Sequence, residues 1–281
     1  MANTDDRIRL WRNTIQLFHR YNRPAFEGPF YQSGYADYRI EATLLERSTG
    51  KESSPDIIAC SDRGWLVVEL TGSNNSKEQK LDSYKKCDPR NLRNYGWETD
   101  YGEPDVISSR LTLVNDGSHA QIIVYDKLGV HKSQSITDTA LREALGKADG
   151  TDLAKLPEIP ISLIPEMKGL EIRMGLIDLV LQLFSPAYKE GKSDYDLCME
   201  GLERLSEIVP SSAKHALQEK IRAEMNVLIK DHLAGYLELK NGRYVATEKF
   251  KEHPRAREHV AKKLREWAHP PDRTLSDFKI V

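Results

Sequence analysis

The clearest structural signal in the chain is the sequence DIIACSDRGWLVVELT, which spans residues 56–71. Two short apolar runs at 57–60 and 65–70 flank the tetrapeptide Ser-Asp-Arg-Gly. Apolar runs of this length favour buried strands, and Ser, Asp and Gly are frequent in turns. The stretch therefore predicts two strands joined by a short hairpin. One carboxylate, Asp56, begins the first strand, and another, Glu69, lies near the end of the second.

The segments around this hairpin alternate between helical and extended patterns. Apolar residues recur at helical spacing upstream of it, and Ser76 with Glu78 downstream is typical of a helix start. We expect an α/β fold in which a mixed β-sheet is flanked by helices. The expected helices are 5–19, 38–47, 76–86 and 137–148. The further strands are 106–114 and 121–125 with a turn at 115–117 between them, and the loops are 24–34 and 89–105.

The second half of the chain is predicted to be mainly helical. A proline-containing linker is expected at 150–167, and Asn241-Gly242 is a strong hairpin signal because Asn-Gly fits a two-residue type I′ turn. Three helices followed by a hairpin resemble a winged helix. We therefore expect one domain at 1–150 and a winged-helix-like domain at 168–270. The helices expected in the second domain are 170–183, 195–208, 213–233 and 255–267.

The composition is that of a globular protein with an uneven charge distribution. Of 281 residues, 39% are hydrophobic and 30% are charged, which argues against a disordered chain. The formal net charge is −2, yet residues 211–281 carry 15 Lys and Arg against 10 Asp and Glu, while the other 210 residues carry 26 against 33. Such asymmetry is typical of a basic binding module joined to a carboxylate-containing domain.

Nothing in the sequence indicates a membrane-bound or secreted protein. The apolar runs stay well short of the roughly 18–20 residues that cross a bilayer, and residues 1–6 lack the features of a secretory signal. The three cysteines, Cys60, Cys87 and Cys198, are odd in number and widely spaced, which favours reduced thiols. We expect a cytoplasmic location and no membrane association.

Asp56 and Glu69 are candidate ligands of a divalent cation. Both lie at the ends of neighbouring apolar strands, where a buried charge is costly without a partner. Mg²⁺ prefers oxygen ligands and keeps several waters, so the two carboxylates and the carbonyl of Leu70 would supply three ligands. A bound cation lowers the pKa of its water and stabilises charge developing on phosphorus, and this chemistry favours phosphodiester hydrolysis.

This arrangement resembles the PD-(D/E)XK nuclease superfamily over residues 35–127. Pro55-Asp56 matches the first half of the family signature, and Glu69-Leu70-Thr71 matches the second. The resemblance implies a restriction-endonuclease-like core and a deoxyribonuclease that depends on Mg²⁺ or Mn²⁺. It also implies a contribution from a glutamate on the preceding helix, and Glu41 is the candidate.

The sequence departs from this family at Thr71. Strand alternation places Thr71 on the same face as Glu69, where the family usually has a lysine. The helix that follows offers a replacement, because Lys77, Lys80 and Tyr84 fall at spacings of three and four residues on one helical face. We expect Lys80 first, or Lys77 second, to supply the missing cation. The residues expected to act in catalysis are Glu41, Asp56, Glu69, Lys80 and Lys77.

The C-terminal module is expected to contact DNA through basic side chains. Lys220 and Arg222 lie on its third helix, and Lys240 and Arg243 lie on its hairpin. In winged helices one helix enters the major groove while the wing reaches the backbone or the minor groove. Winged helices also serve as dimerisation units, which would make the chain a homodimer.

Two alternatives to a nuclease stay open. One is a non-catalytic nucleic-acid-binding protein that keeps the nuclease fold without its lysine, and the other is an assembly subunit whose helical module binds a partner protein. The chain has no P-loop, dinucleotide-binding fingerprint, nucleophile elbow or histidine cluster, which argues against nucleotide-cofactor enzymes, serine hydrolases and zinc enzymes. No nucleotide cofactor is expected.

Overall fold

The structure is a computed structural model, and it falls into two compact units. It describes residues 4–22, 25–71, 78–98, 100–114, 118–157, 161–165, 167–252 and 255–268. The first unit comprises Met1–Pro160 with Glu207–Pro210, and the second comprises Ile161–Ser206 with Ser211–Val281.

The first unit combines helices and strands, so the α/β class predicted from the sequence is confirmed. Its helices, in the described residues, are α1 (Thr4–Gln16), α2 (Pro29–Gln32), α3 (Glu78–Lys85) and α4 (Thr139–Ala148). Its strands are β1 (Arg20–Asn22), β2 (Ala25–Glu27), β3 (Asp37–Ile40), β4 (Leu44–Leu45), β5 (Glu52–Ser53), β6 (Ile57–Cys60), β7 (Trp65–Thr71), β8 (Asp105–Arg110), β9 (Ala120–Val124) and β10 (Leu128–His131). Short 3-10 turns occur at Pro89–Tyr95, Ser133–Ser135 and Leu153–Lys155.

Six of these strands form one mixed sheet in the order β10-β9-β8-β7-β6-β3. β7, β8 and β9 run parallel to one another, and the other neighbours pair antiparallel. Every residue of β6 and β7 is buried, as expected of strands covered on both faces. The predicted hairpin is confirmed, with Cys60 paired to Trp65 beside the turn.

α3 covers one face of this sheet. Its Leu81 and Tyr84 are buried in a cluster with Ile58 of β6, Val67 of β7 and Val106 of β8. Each buried apolar side chain of this size contributes about 1.5–3 kcal/mol to folding. α3 is therefore anchored on the sheet, and the side chains that it carries toward β7 are held in place by packing.

The prediction of a helix at 38–47 is wrong. The segment forms β3 and β4 instead, and β3 pairs antiparallel with β6. Tyr38 and Ile40 are buried while Asp37 is exposed and Arg39 is half-buried, so a period of two outweighs the helical spacing of the apolar residues. Glu41 then adopts a positive φ of 53°, a left-handed conformation that ends the strand and does not fit a right-handed helix.

Other predicted elements of this unit are present with shifted ends. The strand expected at 106–114 ends at Arg110, and the loop expected at 24–34 contains β2 and α2. The turn expected at 115–117 and the first residues of the helix expected at 76–86 lie outside the described residues.

The second unit is mainly helical. Its helices, where the chain is described, are α5 (Leu170–Gln182), α6 (Asp194–Leu202), α7 (Ser211–Val227), α8 (Glu248–Glu252) and α9 (Ala256–Ala268). A 3-10 turn at Glu203–Glu207 follows α6, and a π-helical turn at Leu228–His232 follows α7. Within the described ranges, no helix is both long and apolar enough to cross a membrane.

The Asn-Gly hairpin of the second unit is confirmed. It consists of β11 (Leu237–Lys240) and β12 (Arg243–Ala246), which pair antiparallel with Lys240 opposite Arg243. Asn241 and Gly242 have φ angles of 52° and 75°, both positive as a type I′ turn requires. Two basic side chains therefore flank the tip of this hairpin.

Candidate active site

The three residues predicted to supply carboxylates occupy adjacent backbone positions at one end of β3, β6 and β7. Ile40 pairs with Ile57, and Ile57 pairs with Val68, so the next positions along these strands bring Glu41, Asp56 and Glu69 together. The backbone N–H of Glu41 donates to the carbonyl of Asp56 at 2.9 Å, which fixes that register. Residues directly opposite in antiparallel strands place their side chains on the same face of the sheet.

Glu69 is a fully buried carboxylate with two partners on α3. Its side chain is 0% exposed, so its charge is costly unless it is compensated. The ammonium of Lys80 lies 2.6 Å from Oε1, and the hydroxyl of Tyr84 donates to Oε2 at 2.7 Å. Lys80 and Tyr84 are four residues apart and share one helical face. One helix thus satisfies both oxygens of the strand glutamate.

Lys80 connects this buried group to solvent. The side chain of Lys80 is 41% exposed, whereas that of Glu69 is 0% exposed. The ion pair therefore sits at the boundary of the core, and it is the ammonium that reaches the water. This contact agrees with the expectation that a helix cation approaches Glu69 in place of a strand lysine. The other candidate for that position, Lys77, lies outside the described residues.

Asp56 is held by the backbone of the neighbouring strand. Its Oδ2 accepts a hydrogen bond of 2.5 Å from the backbone N–H of Leu70. Asp56 is 8% exposed, so it is nearly as buried as Glu69. Burial is the main cause that raises the pKa of Tyr84, and the nearby carboxylates of Glu69 and Asp56 raise it further. The Tyr84 hydroxyl therefore stays protonated and acts as a donor to the carboxylates around it.

Glu41 lies at this end of the sheet because it follows a strand, whereas a helix was predicted to carry it. It directly follows β3 and is not on a helix, and its positive φ turns the chain away from the strand. Its main chain, through the bond to the carbonyl of Asp56, aligns the three carboxylate positions. The structure places the backbone of Glu41 beside that of Asp56, and the prediction that a helix carries Glu41 is wrong.

Polar residues of β8 and β9 extend the same face and were missed by the sequence prediction. Glu69 pairs in register with Ser108, Ser108 pairs with Gln121, and Thr71 pairs with Arg110. All these side chains are at most 3% exposed. The signal was the run Asp-Val-Ile-Ser-Ser-Arg, in which three polar residues end a strand that is buried throughout. Periodicity alone could not place them beside Glu69, because that requires the pairing of β7 with β8.

The donor set at Asp56 and Glu69 suits a hard divalent cation. In the described ranges, no group of three or more His, Cys, Asp or Glu side chains is placed to hold a metal. Asp56 and Glu69 would be the two side-chain donors to a cation here, and a backbone carbonyl, water and substrate oxygens would complete its coordination. Mg²⁺ accepts this arrangement, since it commonly uses one or two carboxylates and retains water. A carboxylate has about four lone-pair positions, so Glu69 can accept a cation in addition to its two hydrogen bonds.

Three of the four basic residues predicted to bind DNA already have partners among the described residues of the second unit. Lys220 donates to the carbonyl of Pro165 at 2.7 Å. Arg222 pairs with Asp194 at 2.6 Å and with Glu219 at 2.8 Å. Arg243 donates to the carbonyls of Glu190 and Gly191 and pairs with Asp196 at 3.0 Å. Lys240 is exposed at the hairpin.

Comparisons of the chain with protein-family models, with curated proteins and with solved structures find no match. The functional assignment therefore depends on the chemistry of the residues around Glu69.

We predict that Tyr84→Phe lowers the free energy of unfolding by about 1–3 kcal/mol, because a buried carboxylate oxygen loses its hydroxyl donor. Urea denaturation of both proteins measures the difference. Tyr31→Phe in α2 is the matched control, because no hydrogen bond involves its hydroxyl in the described part of the chain. Equal stability of the Tyr84→Phe variant and the control would contradict the role assigned to this hydroxyl.

Proposed function

We propose that the protein is a Mg²⁺- or Mn²⁺-dependent deoxyribonuclease of the PD-(D/E)XK class, which hydrolyses phosphodiester bonds. The observation that carries the proposal is the contact between Lys80 and a fully buried strand carboxylate, Glu69, which stands beside Asp56. A carboxylate pair and a lysine ammonium within one small site are the groups that this class of reaction uses. The restriction-endonuclease-like identity of the sheet is part of the same proposal.

Each residue of the site has a defined task in this reaction. Asp56 and Glu69, with the carbonyl of Leu70, would hold the cation, which supplies an activated water and stabilises negative charge on the phosphate. The Lys80 ammonium orients the attacking water and is the proton-carrying group next to Glu69. Tyr84 keeps Glu69 in one orientation by occupying Oε2. Glu41 assists from the end of β3.

The helix lysine supports the idea that the cationic role has moved from β7 to α3. Thr71 has too short a side chain to reach the position of a strand lysine, and it cannot carry a charge. Lys80 approaches Glu69 from the helix that covers the same face of the sheet. The Lys80 ammonium thus reaches the Glu69 carboxylate from α3, at hydrogen-bonding distance.

The second unit is proposed to be a winged-helix-like module that anchors DNA through its hairpin. Lys240 is the exposed cation there, and Arg243 lies opposite it in register. Side chains at a wing tip contact the phosphate backbone and contribute affinity without sequence specificity. Lys220 and Arg222 would contribute mainly by stabilising the module, since both form contacts inside it.

One observation favours a second candidate function, a non-catalytic nucleic-acid-binding protein with a nuclease fold. Lys80 already neutralises Glu69 at 2.6 Å, so the charge of this carboxylate is balanced without a metal. In such a protein the pair would stabilise the fold and bind no cation. A third candidate, an assembly subunit, is favoured by the internal pairing of Lys220, Arg222 and Arg243, which leaves less basic surface for DNA.

A nuclease assay separates these candidates. The full chain is incubated with Mg²⁺ or Mn²⁺ and with duplex, single-stranded and branched DNA, and products are followed on denaturing gels. Cleavage that requires the divalent cation supports the proposal. Salt-dependent DNA binding without cleavage supports the second candidate, and neither binding nor cleavage supports the third.

We predict that Lys80→Ala lowers DNA cleavage by about 10²–10⁴-fold, the usual range for one positioned proton-transfer group. DNA binding falls far less, because many other phosphate contacts remain. Lys85→Ala, on the same helix but away from Glu69, is the matched control. Full activity in Lys80→Ala would rule out the helix lysine.

We predict that Lys80→Ala also tightens Mn²⁺ binding, because it removes a positive charge 2.6 Å from the proposed ligand carboxylate. Titration of the metal, followed by electron paramagnetic resonance of free Mn²⁺, measures this without any cleavage step. Lys85→Ala should leave the affinity unchanged, and Glu69→Gln should weaken it. Unchanged affinity in both Lys80→Ala and Glu69→Gln would place the cation elsewhere.

We predict that Lys240→Glu weakens duplex binding and reduces the slope of log affinity against log salt by about 0.9 for each phosphate that the variant no longer binds. Fluorescence anisotropy at several salt concentrations measures both quantities. Lys147→Glu, an exposed position of α4 in the first unit, controls for the change in net charge. If the two variants behave alike, the hairpin is not the DNA anchor.

A further inference from the structure

Thr71 is a buried hydroxyl that lacks a hydrogen-bond partner among the described residues. It is 2% exposed, and its Oγ1 makes no hydrogen bond there. Burying a hydroxyl without a partner costs free energy, and valine would fill the same volume without that cost. A buried hydroxyl in this state is expected where a ligand completes its hydrogen bonding.

Arg110 is the residue in register with Thr71 on the next strand. Neighbouring strands lie about 4.8 Å apart, and residues in register place their side chains on the same face. Thr71 and Arg110 are therefore adjacent on the face that α3 covers. Arg110 is 3% exposed, so its positive charge is within the same buried region.

The guanidinium of Arg110 is fixed by a fully buried serine. Its Nε donates to Oγ of Ser108 at 2.8 Å, and Ser108 is 0% exposed. Ser108 is itself in register with Glu69. The bond to Ser108 keeps the Arg110 guanidinium on the face of the sheet that Glu69 and Thr71 share. A guanidinium oriented in this way has the planar geometry that suits phosphate oxygens.

We propose that Thr71 and Arg110 bind a non-bridging oxygen of the phosphate group on which the protein acts. This inference rests on the proposed function, because the bound phosphate would be that of a DNA strand held by the cation at Asp56 and Glu69. The Thr71 hydroxyl donates a hydrogen bond to the phosphate oxygen, and the Arg110 guanidinium supplies a positive charge. The two basic side chains then have different roles. Lys80 pairs with Glu69 and orients the water, while Arg110 binds the phosphate.

This assignment gives Thr71 a role of its own. At the position where nucleases of this class usually carry a lysine, a short hydroxyl side chain leaves room for a phosphate oxygen to approach Arg110 on β8. Two basic residues therefore take the place of the missing strand lysine: Lys80 on α3 and Arg110 on β8. Neither replacement lies on β7.

Inorganic phosphate, titrated into the metal-free full chain by calorimetry, is the probe that tests this site. Thr71→Val should bind phosphate about tenfold more weakly than the wild type, while its thermal stability is unchanged or higher. Thr14→Val is the matched control, because Thr14 is buried on the opposite face, with its hydroxyl bonded to Leu10 and Ser109. That variant should lose stability and keep phosphate affinity.

Variants of the arginine give an independent test. Arg110→Gln should weaken phosphate binding about a hundredfold, and Arg110→Lys should retain part of it. Because a buried arginine can be needed for folding, Thr71→Val decides the question where the Arg110 variants do not fold. Unchanged phosphate affinity in Thr71→Val overturns the proposal and leaves Thr71 as a site for structural water only.

The outcome is separable from that of the proposed function. If the wild type cleaves no DNA but Thr71→Val still loses phosphate affinity, the anion site stands and the nuclease assignment fails. If the wild type cleaves DNA and Thr71→Val binds phosphate and cleaves like the wild type, the nuclease assignment stands and this site fails.

Discussion

The constraint on which the first unit depends is the burial of one ionised carboxylate, that of Glu69, in a strand whose residues are all buried. Removing such a group from water is costly, and its isolated charge would not be tolerated there. Lys80 and Tyr84 satisfy it from a single helix, so α3 must lie on the sheet at a defined depth and rotation. The packing of Leu81 on the sheet provides that position.

The same constraint explains why polar groups accumulate at this end of the sheet. The side chain of Asp56 accepts from the backbone of Leu70 on the neighbouring strand, and Ser108 accepts from Arg110 on its own strand, so most of the buried polar groups here are hydrogen-bonded. A polar network in a low-dielectric interior is stabilising only when its members are matched. Such a network adds little to stability that an apolar core would not supply.

Local patterns were sufficient to predict the parts of the site that lie close together in the chain. The hairpin that carries Asp56 and Glu69 follows from its apolar runs and turn residues. The expected approach of Lys80 combined helical spacing with the resemblance to nucleases that usually have a lysine at the position of Thr71. The element that carries Glu41 was predicted wrongly, because Tyr38, Ala42 and Leu45 recur at helical spacings of four and three, and a positive φ at a glutamate leaves no mark in the sequence. Arg110 and Ser108 could not be assigned, since parallel pairing joins strands that are distant in sequence. The partners of Lys220 and Arg222 also depend on tertiary structure.

The position of the main site residues along the chain has a consequence for how the protein folds. Asp56, Glu69, Lys80 and Tyr84 all come from one continuous segment that forms a hairpin and the helix after it. Contacts between residues near in sequence close short loops, which costs little chain entropy and permits rapid formation. Arg110, by contrast, joins through a parallel crossover and so completes a more distant contact. We infer that the carboxylate and lysine half of the site assembles early, and that the arginine half is added when β8 docks onto β7.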